Sequence, residues 1–168
     1  MDFDPRYGIF AIIASFFLFF LVVGIAIYVL GALGLYTMAK NKNIENPWLA
    51  WIPIIQLYVM GRIIRRLKIG EYEVPQVEMV LPLVAVGGTI FSVIPLIGGL
   101  VGIVALVIEL FALHRLYTMY RPDEAVLYLI ISVVLPFMGP VFIFFMRNDK
   151  PLKEEDLKGS RWDPEYNQ

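Results

Sequence analysis

The sequence contains no cysteine and a single histidine, His114. Without cysteine there are no disulfides, thiolate metal sites, iron–sulfur clusters or cysteine nucleophiles. His114 is five residues from Glu109, about 140° around a helix, so these two side chains do not share a face. No metalloprotease, P-loop or nucleophile-elbow motif is present. We therefore expect no metal, no cofactor and no catalytic centre.

Charge is also scarce. Charged residues make up 17% of the 168 residues, against about 25% in soluble proteins. Of the 29 charges, 28 lie between apolar stretches or in the tails. The uncharged runs are 7–38, 47–61, 79–108 and 125–146. Apolar runs of about 18 or more residues indicate membrane helices. This pattern excludes a soluble domain, and the few, balanced basic residues argue against nucleic-acid binding.

The predicted fold is an all-α integral membrane protein, a helical bundle of five apolar segments. The expected segments are about 7–38, 47–65, 77–94, 97–119 and 124–146, in a single transmembrane domain over 1–146, followed by a charged soluble tail over 147–168. The stretch 79–113 is too long for one crossing, and Pro95, Gly98 and Gly99 predict a hairpin turn within it. The second and last segments contain prolines and either span as kinked helices or re-enter. Three to five segments therefore span.

Basic residues predict the orientation, because short cytoplasmic loops are enriched in Lys and Arg. They place loops 61–76 and 114–123 in the cytoplasm and the uncharged turn 94–99 on the outer face. The first loop also carries a basic cluster, which is either a topology signal alone or a set of contacts to anionic lipid headgroups. The candidate lipid contacts are Arg62, Arg65, Arg66 and Lys68.

A short internal repeat affects the prediction for the two proline-containing segments, 47–61 and 125–146. The residues 35–38, Leu-Tyr-Thr-Met, recur at 116–119. Each copy follows an Ala-Leu pair and precedes a charged loop and a proline-containing apolar stretch. If the repeat reflects a duplication, both copies lie on the same side of the membrane, and segments 47–61 and 125–146 both re-enter. That arrangement places 13 of the 14 basic residues inside, whereas five crossings divide them seven and seven.

Glu109 is the one charge inside an apolar stretch. A carboxylate at mid-membrane costs about 2.5–3.5 kcal/mol and almost always faces protein or water. It shares a helical face with small residues that allow close helix packing. This predicted seam consists of Gly98, Gly102, Ala105 and Ala112. Glu109 either holds helices together as a neutral or hydrogen-bonded carboxyl, or forms a proton- or cation-responsive site.

The other polar residues of the apolar segments are candidate partners of Glu109. They are Gln56, Ser92, Ser132 and Tyr128, with a second copy of the chain as a further option. Gln56 is expected chiefly to form hydrogen bonds between helices, and Tyr128 and Ser132, four residues apart on one face, are expected chiefly to pack between helices. Gly24, Gly31 and Gly34 predict a close-contact surface on the first helix.

The stretch 46–58, NPWLAWIPIIQLY, followed by Ile94-Pro95, a long helix and a proline-containing last helix, resembles a known group. These are small bacterial multi-pass inner-membrane proteins of unknown function, some joined to a signal peptidase domain. The likeness covers about residues 30–146. The asparagine usual after the first Ile-Pro is absent, and Gln56 stands near its place. The resemblance implies a bacterial inner-membrane location and supplies no catalytic residue.

Together these features predict a non-enzymatic multi-pass membrane protein that acts as an accessory, assembly or regulatory subunit. Its expected partners are the lipid bilayer and other membrane proteins or a homo-oligomer, with no nucleic acid. The alternative is a small transporter or channel component in which Glu109 responds to protons or cations.

Overall fold

The computed structural model describes residues 5–91, 94 and 97–152. It is 78% helical. The six α-helices of the described residues are α1 (Pro5–Asn41), α2 (Ile55–Ile64), α3 (Val77–Phe91), α4 (Ile97–Tyr120), α5 (Ala125–Val134) and α6 (Met138–Met146). Two 3₁₀ turns, Pro47–Trp51 and Pro122–Glu124, precede α2 and α5, and strands β1 (Leu67–Ile69) and β2 (Tyr72–Val74) precede α3.

Two helices, α1 and α4, are long and apolar enough to cross a membrane by length and composition. Both finish at the same end of the molecule. The Asn41 side chain donates a hydrogen bond to the Arg147 carbonyl (3.1 Å), and Arg121 pairs with nearby Asp149 (Nε–Oδ2, 2.7 Å). We call this the basic end, because nine basic residues lie at or within two helical turns of it. They are Lys40, Lys42, Arg62, Arg65, Arg66, Arg115, Arg121, Arg147 and Lys150.

The predicted second segment is not one helix. Residues 47–64, here called the first returning segment, run along α1 as a 3₁₀ turn and come back as α2. Far from the basic end, the Tyr28 hydroxyl donates a hydrogen bond to the Trp51 carbonyl. Near the basic end, the Lys42 ammonium donates a hydrogen bond to the Ile63 carbonyl (2.8 Å). Tyr28 and Lys42 are 14 residues apart, or about 21 Å along a helix.

The apex of the first returning segment follows from its sequence. Pro53 has no N–H, and its carbonyl accepts a short hydrogen bond from the Ile55 N–H (2.8 Å). The intervening Ile54 has a φ of 69°. This γ-turn reverses the chain before α2 starts.

The last predicted segment is also divided. Residues 125–146, the second returning segment, form an antiparallel pair of short helices, α5 and α6. Tyr128 stacks on Phe142 with ring centres 4.2 Å apart, and the Leu152 N–H bonds to the Met119 carbonyl (2.8 Å) beyond α6. Pro136 disfavours helical backbone at Leu135, which ends α5. Pro140 is tolerated because it lies in the first turn of α6.

The helices α3 and α4 form the expected hairpin, although residues 92–93 and 95–96 of its turn lie outside the described residues. A methyl group on Gly88 would lie 3.5 Å from the Ala105 side chain, which fixes the antiparallel register. The chain is not purely helical as predicted, because β1 and β2 form a small antiparallel sheet. Gly70, with a φ of +63°, supplies the positive angle that a two-residue hairpin turn requires.

The core lies near the basic end. It combines the last turns of α1 and α4 with α2, the start of α3 and the second returning segment. Its largest fully buried side chains include Tyr117, Met38, Ile63, Leu81, Leu116 and Met146. By contrast, every residue of α1 from Ile9 to Ala26 is exposed. Thus α1 extends far beyond the packed body as an apolar helix with no partner among the described residues.

Candidate functional site

Glu109 lies on α4 and is half-buried, with Ala105 and Ala112 buried on the same face. Gly98 is also buried and Gly102 is half-buried. The four predicted seam residues therefore do share the less exposed face of α4. The structure shows no hydrogen bond or ion pair between Glu109 and another described residue.

The seam is close-packed only in part. Ala105 meets α3 at Gly88, as its 3.5 Å approach shows. A methyl group placed on Gly102 would have no atom within 4 Å, so Gly102 faces open space in this chain. Gly99, beside it, is equally open. Gly99 and Gly102 thus face outward from the first turns of α4.

Ser132 and Tyr128 gather around Tyr117 rather than Glu109. Tyr117 and Ser132 share a buried hydrogen bond of 2.8 Å between their hydroxyls. The Tyr117 ring meets the Tyr128 ring edge to face at a centroid distance of 5.7 Å. Tyr117 is eight residues, or about 12 Å, beyond Glu109 on α4. This aromatic cluster joins α4, α5 and α6 and satisfies the polar atoms at its centre.

Tyr117 was not singled out in the sequence as a polar centre. Its position in the repeated Leu-Tyr-Thr-Met motif was the available signal. Thr37 and Thr118, equivalent in the two copies, each donate to the carbonyl four residues earlier (2.8 and 2.9 Å). The two copies also lie at the same end, as the duplication hypothesis requires.

Gln56 lies in the first turn of α2, just past the apex of the first returning segment, and is half-buried. Its backbone N–H bonds to the Ile52 carbonyl (2.9 Å). Ser92, the remaining predicted partner of Glu109, lies outside the described residues. The predicted polar group is therefore divided, with Gln56 near the apex and Ser132 and Tyr128 near the end of α4.

The basic cluster has neighbours within the chain. Arg62 donates to the Tyr58 hydroxyl (3.0 Å). Arg66 forms an ion pair with Glu73 (3.8 Å), and Lys68 is opposite Glu73 across the small sheet. Arg65 is exposed at the end of α2 with a φ of 59°. The carboxylate of Glu73 thus compensates part of the positive charge of this cluster, and Tyr58 supplies a neutral hydrogen-bond acceptor.

A second group of charged residues lies at the basic end, around Arg121. Arg121 pairs with Asp149 (2.7 Å) and approaches Glu124 (3.6 Å). The hydrogen bond from Arg121 to Asp149 raises the pKa of the guanidinium. The beginning of the predicted soluble tail is consequently bound to the body up to Leu152, whereas 153–168 lies outside the described residues.

An open groove of about 520 Å³ lies between the small sheet and α4. It is lined by apolar side chains and Tyr72, with no acid or base among them. Its walls are Ile69, Tyr72, Val74, Pro75, Val80, Ile103, Val104, Val107 and Ile108. This composition suits an apolar group and offers nothing for acid–base chemistry. Among the described residues, no three acidic or histidine side chains meet in a group that could hold a metal ion.

No protein-family model, curated protein or solved structure matches the chain. The resemblance of residues 30–146 to small inner-membrane proteins therefore stays a prediction. The structure presents three surfaces on which other molecules could pack. They are the outward small residues of α4, the exposed apolar stretch of α1 and the charged basic end.

Proposed function

We propose that the chain is an integral inner-membrane protein that works without catalysis, as an accessory, assembly or regulatory subunit. The observation that carries this proposal is the exposed stretch of α1. Phe10 and Phe17 are each 70% exposed, and no residue of the most apolar 18-residue window in α1 is buried. Burial of apolar surface is worth about 25 cal/mol per Å², so the hydrocarbon of a bilayer is the natural cover for this helix.

In the proposed threading, α1, α3 and α4 cross the bilayer and the two returning segments re-enter from the cytoplasmic side. The basic end then faces the cytoplasm, which follows the preference of Lys and Arg for cytoplasmic loops. Loops 61–76 and 114–123 share that side. The first test is a single Glu45→Cys substitution in the exposed loop after α1. The cysteine-free background makes its labelling specific.

A cytoplasmic Glu45→Cys must resist a membrane-impermeant thiol reagent in intact cells and react after the cells are opened. Labelling in intact cells would refute the threading. Release of the protein from membranes by alkaline carbonate would refute membrane integration itself.

Association through helix packing is the second part of the proposal. The open small residues of α4 support it, because such positions let another helix approach closely. Gly102→Leu adds a side chain at this opening, where a Cβ atom would have no neighbouring atom within 4 Å. We expect this variant to lose partner proteins, or self-association, in mild-detergent purification while its unfolding midpoint is unchanged.

The matched control is Gly24→Leu, at a glycine of α1 that also has nothing within 4 Å. It adds the same side chain to a different open surface and should keep the associated proteins. Equal retention by both variants would refute association through α4. The alternative function, transport, depends on Glu109. Ser132 and Tyr128 contact Tyr117 and do not provide partners for the Glu109 carboxyl.

A further inference from the structure

The two returning segments make the molecule wider at one end than at the other. Gly31 of α1 contacts Pro140, and Gly34 contacts Ile143, so α6 lies along the last part of α1. Gly31 is ten residues, or about 15 Å, from the end of α1. This depth is half of a hydrocarbon core of about 30 Å.

The described elements therefore divide unevenly along the direction of α1. Beyond the returning segments α1, α3 and α4 continue, and the small sheet borders α4 there across the groove walled by Ile103, Val104, Val107 and Ile108. Toward the basic end the 3₁₀ turn Pro47–Trp51, α2, α5 and α6 are added. A helix is about 10 Å across. Four extra elements of about 80 Å² each thus add about 300 Å² of cross-section to that half.

We propose that the chain is a wedge that senses or produces membrane curvature and that favours bilayers whose leaflet at the basic end is convex. This inference rests on the proposed membrane integration. In a flat bilayer, the leaflet that holds both returning segments must give up more lipid area than the opposite leaflet. Bending that leaflet outward relieves the difference. The partner is the lipid bilayer itself, recognised by its shape.

The packing of the wedge argues that it resists compression. Methyl groups on Gly31 or Gly34 would meet α6 at 3.0 and 2.8 Å, so α1 and α6 are in close contact. The Tyr117–Ser132 hydrogen bond holds α5 to α4, and the Tyr128–Phe142 stack holds α6 to α5. Densely packed interiors deform little, so the lipid must adapt to the protein.

The experiment uses full-length Glu45→Cys protein in giant vesicles of phosphatidylcholine with a minority of phosphatidylglycerol. Copies with the basic end outward are labelled with an impermeant dye, and the remaining copies are then labelled with a permeant dye of a second colour. A thin membrane tube is pulled from each vesicle. The density of each colour in the tube is compared with that in the vesicle wall.

The outer leaflet of the tube is strongly convex, so outward copies should become enriched in it and inward copies depleted. Each orientation is the control for the other, in the same membrane and with the same substitution. Equal partitioning of both colours, or enrichment of the inward copies, would overturn the wedge. Protein that carbonate removes from the vesicles would instead overturn both the membrane proposal and the wedge that rests on it.

Discussion

The tightest helix contact that a single added methyl group can test is the crossing of α2 and α3 at Gly61. It lies on α2 where this helix crosses the start of α3. A Cβ atom there would lie 2.7 Å from the Glu78 nitrogen and 2.9 Å from the Val77 carbonyl oxygen, and would be closer still to the Glu78 Cα. Ordinary contacts of a Cβ are 3.4–4 Å. All three atoms are backbone, so rotation of a side chain cannot relieve the clash.

We therefore expect Gly61→Ala to push α3 away from α2 by roughly 0.5–1 Å, at a cost typical of overpacking, about 1–3 kcal/mol. That free energy corresponds to about a 5- to 150-fold change in the unfolding equilibrium constant. The measurement is reversible unfolding in mixed micelles, in which the fraction of denaturing detergent is increased and helicity is followed by circular dichroism.

Gly87→Ala is the matched control, because Gly87 lies on α3 itself and has nothing within 4 Å of an added methyl group. It should unfold at the wild-type midpoint or slightly later, since alanine favours helix over glycine by up to about 1 kcal/mol. If Gly61→Ala and Gly87→Ala unfold at the same detergent fraction, the close crossing of α2 and α3 is refuted.

Three further results are expected. Tyr117→Phe should reduce the free energy of unfolding by about 0.5–1.5 kcal/mol. A double-mutant cycle with Ser132→Ala should recover most of that loss as coupling, and additive effects would contradict the hydrogen bond. Glu109→Gln should leave the unfolding midpoint and the proton permeability of proteoliposomes unchanged, whereas loss of a proton- or cation-driven flux would favour the transport alternative. Asp149→Asn should speed tryptic cleavage after Arg147 by up to about fivefold, because an exposed ion pair contributes at most about 1 kcal/mol. Cleavage at the wild-type rate would show that Arg121 does not hold the tail.

The helical hairpin of α3 and α4 could be predicted because local residues determine it. Pro95 and the paired glycines end one periodic apolar pattern and begin another. The interruptions of the second and last segments were also visible, as Pro53 and Pro136. Proline position alone does not distinguish a kink from a reversal, because the direction of the following helix depends on distant contacts. The pairs Lys42–Ile63 and Tyr128–Phe142 provide that information, and they exist only in the folded chain.

The candidate polar site could be predicted only as a set of residue types. Helical periodicity places Glu109 on one face with small residues, since spacing along one helix determines a face, and these residues are buried or half-buried in the structure. Periodicity does not determine which helix meets that face, and Ser132 therefore meets Tyr117 instead. The small sheet was missed for a related reason. A polar connection with Gly70 has no long-range pattern, and its two short strands need α4 beside them to bury Leu67.

Both returning segments start and finish at the basic end. This arrangement has a consequence for how the chain is inserted into the membrane. In the proposed threading, every loop between α1 and the tail except one stays on the side where the chain is made. The exception is the turn between α3 and α4, and residues 92–96 carry no charge. Because moving charged groups through hydrocarbon is costly, this chain acquires a wide cytoplasmic half without carrying a charged internal loop across the membrane, and Asp2, Asp4 and Arg6 at the start of the chain are the charges that cross.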